Sequence, residues 1–177
     1  YCLAEEIAKV EPGVYLVKVK ENIKWSDGNP FNIYDVIYTI DMIKSGVSTI
    51  YSENVRNVVE IEQIDDYTMK MYLSEDVPFF EYNLTFPIIS KAYYENEDFV
   101  NTDKNIMPVS TGKFKIAEVI NNEIKLVRND SYWNDKKIPM VKEVYITKYE
   151  TIGEVYNAFK MGNIDFVNTK CSKVLFC

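Results

Sequence analysis

The sequence contains no histidine, so acid–base work would fall to its carboxylates, lysines and tyrosines. Without histidine the Ser-His-Asp and Cys-His nucleophile arrangements are excluded, as is a His-ligated zinc or nickel site within the chain. Three acidic pairs stand out: Glu5-Glu6, Asp65-Asp66 and Glu75-Asp76. A glycosidase needs two carboxylates facing one bond from opposite sides, about 5–10 Å apart. Sequence neighbours in a turn do not supply that, so Asp65-Asp66 reads as a solvated turn and Glu5-Glu6 as the surface of a helix. The stretch from Asn129-Asp130-Ser131 to Asn134-Asp135 is dense in oxygen ligands. Its spacing departs from the EF-hand loop and no Glu closes it. Cys2, Cys171 and Cys177 are odd in number and form no CxxC pair, and they read as incidental thiols. A Cys171–Cys177 bridge is open on spacing alone. Neither GxGxxG nor GxxxxGK occurs. Residue chemistry therefore points to no catalytic site, no metal and no cofactor.

Aromatic residues are the other candidates for contact chemistry: 14 Tyr, 9 Phe and 2 Trp, enough to stack on sugars, bases or peptide side chains. Trp25 and Trp133 both lie in turn-rich segments and read as anchors pinning loops to a core. The balance of 20 basic against 27 acidic residues gives a net charge of −7, which disfavours nucleic acid and anionic membranes. At 47% hydrophobic and 27% charged, the 177 residues suit one globular domain or two small lobes. A compact monomer of this mass should expose about 9,000 Å². No apolar run approaches the roughly 20 residues that span a bilayer.

The elements that would position these residues follow from periodicity. Val14 to Lys20 predicts a strand, entered by the Glu11-Pro12-Gly13 turn. Trp25 to Pro30 is dense in turn formers, with Gly28 at a positive φ. Asn32 to Lys44 predicts the clearest helix, with Asn32 as N-cap, Asp35 at N3, an apolar stripe of Ile33, Val36, Ile37, Ile40 and Ile43, and Gly46 as the stop. Short helices are expected near Tyr51–Asn57, within Phe79–Phe86 and over Ser90–Glu97. Val58–Ile64 and Thr68–Leu73 predict a hairpin across Asp65-Asp66-Tyr67, with Val59, Ile61, Met69, Met71 and Leu73 on one face. A second set of strands is expected over Lys113–Val119, Glu123–Arg128 and Val141–Tyr149. It is followed by a helix over Thr151–Met161 with Ile152, Val155, Tyr156 and Phe159 inward, and a short strand at Ile164–Val167. The class is α+β, or mixed α/β.

Tyr1 is no initiator methionine, and the chain stops on Val174-Leu175-Phe176-Cys177, so it reads as part of a longer polypeptide. Cys2 would suit a lipid-modified start, yet no apolar segment precedes it. Four segments carry a resemblance. The first runs from Val17 through Trp25-Ser26-Asp27-Gly28 to Pro30-Phe31 and Asp35-Val36. The second is Asp65-Asp66-Tyr67-Thr68 with the strand and Pro78 loop that follow. The third is Ser110-Thr111-Gly112-Lys113-Phe114-Lys115 with Leu126-Val127-Arg128-Asn129-Asp130-Ser131-Tyr132-Trp133. The fourth is Phe159-Lys160-Met161-Gly162-Asn163-Ile164-Asp165. In this order they resemble the extracytoplasmic solute-binding proteins of the oligopeptide/dipeptide/nickel type, family 5. Lys113 stands where that family usually has Pro, the tail from Lys170 matches nothing expected of it, and family members are much longer.

The resemblance implies a type II periplasmic-binding-protein-like fold, incomplete. Residues 1–100 would be the small second lobe, 101–110 a connector and 111–177 part of the first lobe. It implies the substrate-binding component, or a fragment of one, of an ABC importer that closes around a short peptide or similar small solute and delivers it to the membrane permease. Such a protein works outside the cytoplasm, on the cell surface or in the periplasm, lipid-anchored in its full-length form. Tyr51 falls where oligopeptide binders place a Tyr that reaches the cleft, and it is the one ligand-binding residue carried over. Trp25, Gly28, Gly112 and Trp133 are read as scaffold. The family acid that pairs with a peptide N-terminus has no position in this chain. Two other readings are a solute-sensing regulatory domain inside a larger protein, and an enzyme built on Tyr, Lys or carboxylates.

Overall fold

The computed structural model describes residues 2–48 and 50–168; Cys171 and the apolar tail Val174-Leu175-Phe176-Cys177 lie outside them. Two antiparallel sheets follow one another along the chain. The first is assembled from β1 (Ala4–Glu11), β2 (Val14–Val19), β3 (Val58–Gln63) and β4 (Thr68–Leu73) in the order β1-β2-β4-β3. The second consists of β5 (Phe114–Ile120), β6 (Glu123–Arg128) and β7 (Glu143–Thr147) in sequence order. Between β2 and β3 come α1 (Ile33–Lys44) and the short α2 (Ser52–Val55). Another short helix, α3 (Lys91–Tyr94), packs on α1, and α4 (Ile152–Lys160) follows β7. Single 3-10 turns cover Phe80–Asn83, Asp103–Ile106 and Asp135–Lys137.

The core lies between α1 and one face of the first sheet. Alternation in β2 and β4 sends Tyr15, Val17, Val19, Met69 and Met71 inward, where they meet Ile33, Val36, Ile40 and Ile43 of α1. The helix starts where its sequence says it should. The Asn32 side chain accepts from the Tyr34 N–H, and Asp35 returns a bond to the Asn32 N–H, a capping box. It ends at Gly46, whose φ of +89° is a conformation an L side chain rarely adopts.

Four strand residues stand out of register: Glu5 and Val10 in β1, Val59 in β3 and Ala117 in β5 each sit opposite no partner of their own. These bulges overturn two sequence expectations. Glu5-Glu6 belongs to a strand, not a helix, and Glu5 pairs with Lys18 at 3.1 Å. Val59 faces solvent at 57% exposed, whereas its neighbour Val58 is buried at 2%. The bulge shifts the parity of β3, so that Val58 and Ile61 take the inner face.

The second sheet and α4 hold little core. Within residues 114–168, Asn129 and Ala158 are the buried positions among those described. The expected inward stripe of α4 is corrected: Ile152, Tyr156 and Phe159 are half or more exposed, because no described element covers that face. Residues 164–167 form no strand, since no described strand lies beside them to pair with.

Candidate functional site

The junction of the two sheets gathers the sequence's most distinctive segments. The Trp25 indole donates to Asp35 at 3.0 Å, and its ring meets Phe31 edge-on at 6.0 Å. Asp35 is buried at 4% exposed, and its carboxylate accepts from the Asn32 and Lys91 N–H groups as well. One side chain thus ties the Trp25 turn, the start of α1 and the start of α3. Gly28 closes that turn at a φ of +94°, donating its N–H to the Trp25 carbonyl. Across the junction the Ser26 N–H donates to the Ser110 carbonyl at 2.8 Å, and the Ser110 N–H donates back to Ser26 Oγ at 3.1 Å. Asn129 then donates its side-chain amide to the Gly112 carbonyl. Trp133 packs against the first core, with the Lys20 ammonium 5.2 Å from its ring centre. Trp25, Gly28, Gly112 and Trp133 all hold the junction together by these contacts.

An open cleft of about 970 Å³ lies beside this junction. Its walls come from β1, from the 81–88 segment, from residues 109–112 and from Trp25 and Trp133. Half-buried Leu3, just before β1, and Ile7 within it line the cleft. The walls are mainly apolar, and Glu81 is their one carboxylate among the described residues.

Tyr51 is the N-cap residue of α2 and is half-buried. Its ring packs against the first core and lies 6.5 Å from that of Phe86, which lines the cleft. Asn54 of α2 donates to the Asn83 carbonyl at 2.6 Å, joining the Tyr51 loop to the 3-10 turn at Phe80–Asn83. Tyr51 thus adjoins the cleft through Phe86 without being one of its lining residues.

The acidic pairs are solvated, and each has a local task. Asp65 accepts from the Tyr67 N–H inside the hairpin turn, and this bond holds its carboxyl below the usual range. Asp76 is lowered chiefly by the Lys9 ammonium, then by the Gly13 N–H. Asp65 and Asp66 share a shallow, open surface hollow with Glu21 and with Lys18, whose ammonium pairs with Glu5. Asn129-Asp130 through Asp135 spends its oxygens on local bonds: Asp130 on Arg128, and Asn129 Oδ1 on the Ser131 N–H. Among the described residues no group of three or more Cys, Asp or Glu could hold a metal ion. No helix there is long and apolar enough to cross a membrane.

With this geometry in place, similarity to known proteins becomes interpretable. A family model for bacterial extracellular solute-binding proteins, family 5 Middle, matches residues 2–172. The chain belongs to this family. The periplasmic oligopeptide-binding protein OppA of Salmonella typhimurium is 26% identical over 98% of the chain and 36% of its own length. Among solved structures, the ABC transporter substrate binding protein CtaP of Listeria monocytogenes is 26% identical with a TM-score of 0.80, over 92% of this chain and 35% of that one. NikZ of Campylobacter jejuni, solved with Ni(L-His), shares the fold at a TM-score of 0.83 and 23% identity, over 92% of this chain and 33% of that one. The chain thus spans about a third of the length of the relatives it matches, with the α+β fold of that third of a family 5 binding protein.

Sequence reasoning found the junction motifs but missed the cleft and Asp35's reach to Lys91. The helix-capping pattern announces Asp35; the contact with α3, 56 residues away, leaves no local signal.

Proposed function

We propose that this chain is the scaffold portion of a substrate-binding protein of an ABC importer, one that takes a short peptide or similar small solute between lobes and hands it to the permease. The observation that carries this is the family match over residues 2–172, with the fold retained along 92% of the chain. In this reading residues 1–100 are the small lobe, 101–110 the connector and 111–177 part of the first lobe. The Ser26–Ser110 pair of hydrogen bonds supports a joint at that connector. Differential affinity drives such a receptor: a solute touching both lobes favours the closed state by as much as it binds that state better. Tyr51 is carried forward as a ligand-contacting residue, supported by its half-buried position against Phe86, a ring of the cleft wall.

The chain itself performs no chemistry in this reading. A lone carboxylate, Glu81, on a mainly apolar open cleft offers no acid–base pair. The protein works outside the cytoplasm in this reading, supported by the periplasmic and extracellular names of its relatives, and its full-length form is proposed to be lipid-anchored.

Isothermal titration of the protein expressed from its complete reading frame, with mixed di- to pentapeptides, is expected to show saturable heat. Silence toward peptides, nickel chelates and oligosaccharides alike would overturn the receptor reading.

A further inference from the structure

Phe79 is held in the left-handed region, at φ +57° and ψ +33°, with its ring 73% exposed. The other two described non-glycine residues at positive φ, Asn22 and Asn121, are of the type that tolerates it. An aromatic residue there is strained, and strain of this kind persists at contact sites. Anchoring the loop does not explain it. The next residue, Phe80, does that work: it is 1% exposed and packs on Tyr15 at 5.3 Å. Instead the Phe79 ring meets that of Tyr82, also 73% exposed, at 6.4 Å and 58°. Glycine or asparagine would relieve the backbone; phenylalanine keeps a ring in water.

The pair also has an address. Tyr82 lines the cleft together with Phe86, which touches Tyr51, and Asn83 is bonded to Asn54 one turn beyond Tyr51. Two tilted rings offer an edge and a face to one planar apolar group. They are far too small for a stable contact between proteins, which needs about 800 Å² per partner.

We propose that Phe79 and Tyr82 form an aromatic subsite, adjoining Tyr51, for a ring-bearing side chain of a peptide solute. The inference rests on the receptor reading above. The test uses the protein from its complete reading frame and two mixed di- to nonapeptide sets, one containing Phe, Tyr and Trp and one lacking them. Phe79→Gly and Tyr82→Ala should each weaken binding of the ring-bearing set about 3- to 10-fold. Each should leave the ring-free set within about two-fold of wild type. Phe79→Gly should also melt no lower than wild type, since glycine suits this φ; a variant that merely unfolds would lose both sets together. Retained affinity for ring-bearing peptides in both variants, or equal loss for both sets, overturns the inference and leaves the receptor reading intact. A wild type that ignores both sets but takes nickel–histidine or an oligosaccharide does the same. Silence toward every probe overturns both.

Discussion

Asp35 shows how much one side chain can organise when its neighbours are all donors. Its carboxylate receives the Trp25 indole and the backbone N–H groups of Asn32 and Lys91. Truncation would leave these donors buried and unpaired, a larger loss than the bonds themselves contribute. Asp35→Ala is expected to cost about 2–4 kcal/mol in urea unfolding, and Asp35→Asn, which keeps an acceptor, about half of that. Equal effects of the two would show that the cap alone matters. The Asn-x-x-Asp pattern made the capping role legible from sequence. The tie to α3 was not, because Lys91 offers a backbone N–H that any residue type would supply.

At the scale of elements, bulges separate what could be read from what could not. The β4 run alternates, and its inward Met69 and Met71 were legible from sequence; β2 was legible as a strand, but Val14-Tyr15-Leu16-Val17 is apolar throughout and does not say which of its faces turns inward. In β1 the extra residues Glu5 and Val10 break the two-residue period twice in eight positions, so the strand left no alternating signature. The same effect at Val59 moved one inward position of β3 from Val59 to Val58 and left Ile61 inward as expected. This parity is open to direct measurement. Val58→Ala should destabilise by about 1–2 kcal/mol through lost burial, while Val59→Ala should stay within about 0.5 kcal/mol. The reverse order in chemical denaturation would place the bulge elsewhere. In α4 the heptad-like stripe is real, and so is its capping box at Thr151 and Glu154. Periodicity predicted a helix correctly, but a stripe cannot say whether the surface that should cover it lies in the same stretch of chain.

The whole molecule exposes 12140 Å², against about 9,000 Å² for a compact monomer of this mass. The excess agrees with a chain spanning about a third of its relatives and with the bare outer side of the second sheet. Global stability should also respond to acid in a definite sense. Asp65, Asp76 and Asp98 sit below their ordinary 3.8, and Glu97 and Glu143 below their ordinary 4.5. The causes are local: the Tyr67 N–H for Asp65, Lys9 for Asp76, the Asn101 amide for Asp98, Lys104 for Glu97 and Lys125 for Glu143. A lowered folded value means the unfolded chain takes up protons first as pH falls. Their stabilisation is therefore complete above the ordinary values and disappears on descent through the folded ones. The thermal midpoint should hold steady from neutrality to about pH 5 and fall below that, less steeply in Asp76→Asn. A midpoint rising below pH 4 would contradict these assignments.

The bulged strands have a last consequence, for how one copy meets another. Every bulge residue lies in a strand with one unpaired side, β1, β3 or β5, and each kinks that rim. Fibre growth needs a straight, repeating template of free amides and carbonyls. Among the described strands only Glu143–Thr147 presents such a template unbroken, so cross-β propagation would have to start there, and the first sheet is insulated from it on both flanks.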